Sequence, residues 1–132
     1  MRNGRLVFTI ALALTALGAT VAQAGGGFTA HARRPAYDSA SLQLVGTGVY
    51  RTPAAHPGLQ VTVCLRKRFG RRRFFDVRCA TSTAGKGRRV VGQVSVPGCV
   101  AGVWRTTAVG QALNRKGAWV HQASAVSRPF RC

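Results

Sequence analysis

"GLQVTVCLRKRFGRRRFFDVRCATST", residues 58–83, is the stretch whose reading decides the fold. Leu59, Val61, Val63 and Leu65 alternate with Gln60, Thr62 and Arg66, and because a period of two sends side chains to opposite faces of an extended chain, this is a strand buried on one side. "RFGR" breaks the run at 68–71 and "RFFDVRCATST" follows at 73–83, so the pair reads as a β-hairpin. Residues that face each other across an antiparallel hairpin have numbers of constant sum. Cys64 and Cys79 centre that sum between residues 71 and 72, inside the basic tip, and are expected to meet as a cross-strand disulfide. The same sum sets Val63 opposite Ala80 and Leu65 opposite Arg78, but it puts Phe75 and Val77 on the face of Thr62 and Arg66. Either a bulge near Gly70 moves the register by one, or the second face is covered too.

Outward from this hairpin, strand-like runs succeed one another: "SLQLVGTGVY" (41–50), "RRVVGQVSV" (88–96), "GVWRTTAVGQAL" (102–113) and "AWVHQASAVSRPF" (118–130). "RTPAAHPG" (51–58), "AGKG" (84–87), "PGCVA" (97–101) and "NRKG" (114–117) separate them, and their Gly, Pro and Asn carry turn chemistry. Val90, Val94 and Val96 again oppose Arg89, Gln93 and Ser95. No amphipathic helical period follows residue 24. The fold class expected is all-β, an antiparallel immunoglobulin-like β-sandwich of six to seven strands. Cys99 and Cys132 centre on the middle of "NRKG", so the second disulfide is expected to be Cys99–Cys132. That register faces Trp104 to Ser127, Ala108 to Ala123 and Ala112 to Trp119, with the two tryptophans as the large core fillers.

The N-terminus reads as an export signal over residues 1–24: Arg2 and Arg5, an apolar run from Leu6, and "AQA" at 22–24. A membrane anchor over 6–24 is the alternative, since the run approaches the roughly 20 residues that cross a bilayer. Residues 25–40, "GGGFTAHARRPAYDSA", show no apolar period and read as a flexible tether, leaving 41–132 as the sandwich domain. Four cysteines behind an export signal, with no CxxC or Cys/His zinc spacing, indicate two disulfides formed in an oxidising compartment.

Gly102, one residue, then Trp104 at a strand start resembles the corner of immunoglobulin-like sandwiches, where a glycine and an aromatic fix the start of the penultimate strand. Thr106 stands where that family keeps its second cysteine, and the aromatic is Trp rather than Tyr. The signal, the stapled hairpin, "C..G.WRT.A.G" and a terminal cysteine are similar to small secreted four-cysteine proteins of unknown function from high-GC Gram-positive bacteria. That likeness implies a secreted sandwich and no particular activity.

Charge dominates what remains. The chain has 20 Lys and Arg against 2 carboxylates, a formal net charge of +18, which favours anionic partners and needs covalent bracing against self-repulsion. Asp38 falls in the expected tether and Asp76 lies between Arg73 and Arg78, an ion-pair setting. With no Glu and three scattered histidines, His31, His56 and His121, the chain offers no acid–base pair, metal set or cofactor motif, so no enzyme, catalytic residue, metal or cofactor is expected. Arg66, Lys67, Arg68, Arg71, Arg72 and Arg73 form the anion-binding candidate, Arg88 and Arg89 are expected to extend it, and Phe69, Phe74 and Phe75 are candidate aromatic contacts. The expected function is noncatalytic binding of an anionic cell-envelope polymer or membrane surface. A membrane-active antimicrobial built on hairpin 64–79 and a purely structural envelope protein are the alternatives. Export argues against nucleic acid as the partner, and nothing in the sequence sets the oligomeric state.

Overall fold

The computed structural model describes residues 20–21 and 26–132 of the chain. Its strands are β1 (Thr20–Val21), β2 (Thr29–Asp38), β3 (Gln43–His56), β4 (Gly58–Phe69), β5 (Arg73–Ala84), β6 (Gly87–Pro97), β7 (Val103–Leu113), β8 (Trp119–Val126) and β9 (Phe130–Arg131). One sheet has the order β2-β3-β6; the other runs β1-β8-β7-β4-β5, with β9 also on β7, and every named strand pairing is antiparallel. The first, second and fifth long strands thus face the third, fourth, sixth and seventh, an immunoglobulin-like partition. Among the described residues no helix is long and apolar enough to cross a membrane. Apart from β1, which pairs Thr20 and Val21 with Val126 and Ala125, the segment read as an export signal lies outside the described residues.

The alternation of β4 works as its sequence requires. Leu59, Val61, Val63 and Leu65 are completely buried, as are Leu44 and Tyr50 of β3 and Ala108 and Ala112 of β7, with Val90, Val94 and Val96 of β6 beside them. Small residues let the two sheets close on one another. A Cβ on Gly48 would lie 2.7 Å from that of Ala108, and Gly110 lies flat beneath the Tyr50 ring. The Tyr50 hydroxyl, at the end of that ring, donates to the His121 carbonyl at 2.5 Å.

The immunoglobulin-like corner is present in altered form. Trp104 is buried and its indole N–H donates to the Val100 carbonyl, 2.8 Å away and four residues upstream. Where antibody domains bridge the sheets with a disulfide, buried Thr106 instead faces Gly46, its Oγ1 3.1 Å from where a glycine Cβ would stand. Both cystines lie elsewhere. Cys64–Cys79 staples the outer face of β4 and β5, and Cys99–Cys132 ties the loop before β7 to the residue after β9.

Four sequence expectations are corrected. The supposed tether contains β2, an edge strand whose core-facing residues are Ala30, Ala32 and Pro35; the bulge between Arg33 and Ala36 admits the proline, which cannot donate to a ladder. "RTPAAH" continues β3 to His56 through a second irregularity rather than forming a turn. In the last hairpin β8 holds one more residue than β7 between the pairs Gly110↔Ala123 and Ala112↔Val120. This bulge, where His121 adopts φ 55°, moves Ala108 opposite Ala125 and leaves Trp104 opposite Phe130. As the third consequence of that register, Val120 rather than Trp119 opposes Ala112, and Trp119 is 39% exposed instead of filling the core. Finally, the shift in the first hairpin falls between Leu65 and Arg66, where Val77 is the extra residue, not near Gly70.

Candidate functional site

β4 and β5 carry the basic segment to one end of the sandwich, and the bulge at Val77 decides how its side chains divide. Beyond it Arg66 pairs with Asp76, Lys67 with Phe75, Arg68 with Phe74 and Phe69 with Arg73. Alternation then sends Arg66, Arg68 and Phe74 to the outer face, and Lys67, Phe69 and Phe75 to the edge of the core-facing side. Arg71 and Arg72 occupy the exposed turn and Arg73 begins β5. The three phenylalanines therefore do not form one surface. Phe69 and Phe75 meet edge to face at 5.8 Å, each about half exposed, with the Lys67 ammonium 4.8 Å above the Phe69 ring.

Phe74 is covered by Arg105, whose guanidinium carbon sits 3.9 Å from the ring centroid. Arg105 belongs to β7, directly opposite Arg66 in the β4–β7 register. The sequence reading missed it because it is a long way from the hairpin in the chain, and only sheet pairing brings it near. Two like charges face one another there. Arg66 Nε stands 2.9 Å from the Asp76 carboxylate, an ion pair without hydrogen-bond alignment, and Arg66 Nη2 donates to the Phe74 carbonyl at 2.8 Å, whereas the equally buried Arg105 Nε has neither an ion-pair nor a hydrogen-bond partner among the described residues. Burial, and secondly the charge of Arg66, push the Arg105 guanidinium's pKa down. An anion that bridged Arg105 and Arg66 would relieve both effects.

Asp76 pairs with Arg66 rather than with its expected neighbours Arg73 and Arg78. This is the only ion pair among the described residues, and its carboxylate is more than half exposed. The other carboxylate, Asp38, closes the β2–β3 turn by accepting from the Ala40 N–H and the Ser41 hydroxyl. Those bonds, the Ser41 hydroxyl foremost, hold the Asp38 pKa below its ordinary value. Arg68, Arg71, Arg72 and Arg73 thus have no ion-pair partner among the described residues.

Arg88 and Arg89 do not extend this cluster. They begin β6 after the β5–β6 turn, where Arg89 pairs with Arg51. Leu59 at that end and Phe69 at the tip are ten strand residues apart, about 33 Å. The remaining groups of chemical interest lie at that distant end. The His121 ring stacks on Phe28 at 4.0 Å and stands 5.9 Å from His56, whose Nδ1 lies 2.9 Å from the Ala54 carbonyl. Asp76 lies close to the sulfurs of Cys64 and Cys79, but both are spent in the disulfide and offer no thiolate.

Away from the cationic end, toward Leu59, the outer face of the same sheet continues as a polar ladder. Gln60 donates to Gln111 at 2.9 Å, Gln111 to Gln122 at 3.2 Å, and the Thr62 and Thr81 hydroxyls share a bond of 2.8 Å.

The fold and this end of it define a class: a disulfide-braced immunoglobulin-like β-sandwich, with two cystines proper to an oxidising environment. The chain matches no family model and no curated protein. Among solved structures it is similar to pT26-6p, at 10% identity and TM-score 0.43, over 83% of this chain and only 23% of that one. It is also similar to the putative ApaA protein from Bordetella pertussis, at 13% identity and TM-score 0.42 over 78% and 89% of the two chains. The CARDB domain of the PF1109 protein from Pyrococcus furiosus aligns at 11% identity and TM-score 0.37, over 76% and 87%.

Proposed function

We propose that this chain is an exported, noncatalytic binding domain that holds anionic polymers of the cell envelope or its surroundings against its hairpin end. The carrying observation is the electrostatic imbalance there. Arg66, Arg68, Arg71, Arg72, Arg73 and Arg105 converge on one end, and a single half-paired carboxylate, Asp76, opposes them. Cys64–Cys79 locks the hairpin whose strands carry Arg66, Arg68 and Arg73 and whose turn carries Arg71 and Arg72, so the charge is presented with little loss of freedom on binding. His56 and His121 stand against Phe28 and at the end away from both carboxylates, an arrangement that favours packing over acid–base work.

Retention of the purified protein on heparin and on anionic phosphatidylglycerol liposomes at low salt, with release by about 0.5 M salt as screening sets in, tests this reading. Equal passage through heparin and neutral dextran overturns it. The exposed Phe69–Phe75 pair beside the tip favours one second reading, membrane insertion. Dye leakage from the same liposomes, retained by the excised 64–79 hairpin, marks that reading; binding without leakage marks the first.

A further inference from the structure

The outer face of the β2-β3-β6 sheet is neither part of the hairpin end nor explained by it. Its rows pair Thr29 with Arg51, His31 with Val49, and Arg33 with Thr47. Arg51 continues across the sheet to Arg89. These residues enclose a shallow groove of about 240 Å³ lined by Thr29, His31, Arg33, Val49 and Arg51. Its floor is Val49, 5% exposed. Strand geometry separates the Arg33 and Arg51 Cα atoms by about 14 Å on neighbouring strands. The three-carbon stems allow both guanidiniums to lean over the intervening His31–Val49 row.

No ion pair among the described residues neutralises either arginine. The one carboxylate on that face, Asp38, lies beyond the Arg33/Ala36 bulge and is engaged by Ala40 and Ser41. Thr29 adds a hydroxyl and His31 a ring N–H, so donors line the groove and acceptors of charge are missing from it. The volume is below the roughly 300–1,000 Å³ of a pocket that encloses a drug-sized ligand. It suits one charged group carried on a larger molecule that stays outside.

We propose that this groove is a second anion site, in which Arg33 and Arg51 clamp a single tetrahedral oxyanion, a phosphate or sulfate group borne by a polymer. Two flanking guanidiniums present forked donors to such a group from opposite sides, the geometry for which arginine is better suited than lysine. The site faces away from the β4–β5 sheet, so one chain would hold two polyanion strands at once. Its occupancy does not depend on the hairpin reading.

The test is an amide NMR titration of the purified chain, both disulfides intact, with inorganic phosphate in one series and a sulfated heparin disaccharide in the other. Saturable shifts at Thr29, His31 and Val49 are expected in at least one series, which also tells phosphate from sulfate as the source. Arg33→Ala with Arg51→Ala should weaken them at least tenfold, while Arg71→Ala, Arg72→Ala and Arg73→Ala together leave them unchanged. Arg33→Gln with Arg51→Gln keeps the stems and carries the test should the alanine pair unfold. Shifts confined to the hairpin in both series, or shifts at Thr29 and Val49 indifferent to loss of Arg33 and Arg51, overturn the proposal.

Discussion

Gly110→Ala adds one methyl group at the point where the two sheets touch most closely. Gly110 is buried in β7 and does not need a positive φ, so its backbone would accept alanine and only space forbids it. The new Cβ would stand 2.5 Å from Tyr50 Cβ and closer still to ring atoms Cγ and Cδ1, well inside contact distance, and the target is a fully buried ring with no room to turn aside. Overpacking of this kind costs about 1–3 kcal/mol. Displacing the ring also pulls its hydroxyl from the His121 carbonyl, about 1 kcal/mol more. The expected loss is about 2–4 kcal/mol, a fall in Tm of roughly 10–25 °C for a domain of this size. Calorimetry of the wild type, Gly110→Ala, Tyr50→Gly and the double variant forms a cycle. In the Tyr50→Gly background the alanine should cost under about 1 kcal/mol, because the Cβ, Cγ and Cδ1 atoms it would strike are gone. A cost as large there as in the wild type would refute the reasoning.

Thr106→Val should raise stability by about 1 kcal/mol, read as a higher denaturation midpoint, because it removes a buried hydroxyl that has no partner among the described residues. Burial raises the Tyr50 pKa from 10.0 to about 12, so the stability it lends is complete below pH 10 and is lost as pH rises toward 12. A rise of that size corresponds to at most about 2–3 kcal/mol, and urea unfolding between those limits should show the slope in wild type and not in Tyr50→Phe. Removing Cys64–Cys79 by paired alanines should cost about 3 kcal/mol and removing Cys99–Cys132 slightly more, as the longer loop predicts, measured by denaturant midpoints. Asp76→Asn should change stability by less than about 1 kcal/mol, since the pair is solvent-exposed, yet raise the salt needed to elute the protein from heparin.

The strands that were legible in the sequence are those whose faces differ strongly in hydropathy. β4 sets Leu and Val against Gln, Thr and Arg, and β6 sets Val against Arg, Gln and Ser, so both the alternation and the burial could be read directly. β2 was hidden because its inward residues are two alanines and a proline, which bury little surface and carry no apolar period. With β2 lost to the supposed tether, the groove between Arg33 and Arg51 could not be seen either. The cysteine sums identified both disulfides, but the second gave a false register. Cys99 lies outside the ladder, and the bulge at His121 puts a non-glycine residue at positive φ, a position that leaves no mark in the sequence. Arg105 was unreadable for a related reason: it adjoins Arg66 only through the β4–β7 pairing.

The hairpin end as a polyanion clamp is tested most directly by the affinity of the purified chain for heparin, measured calorimetrically across a salt series, beside the Arg71→Ala/Arg72→Ala/Arg73→Ala variant. Each charge neutralised on a polyanion releases condensed counterions, so log affinity should fall steeply with log salt for the wild type and about two to three units less steeply for the variant. Slopes that coincide, or an affinity indifferent to salt, would contradict it.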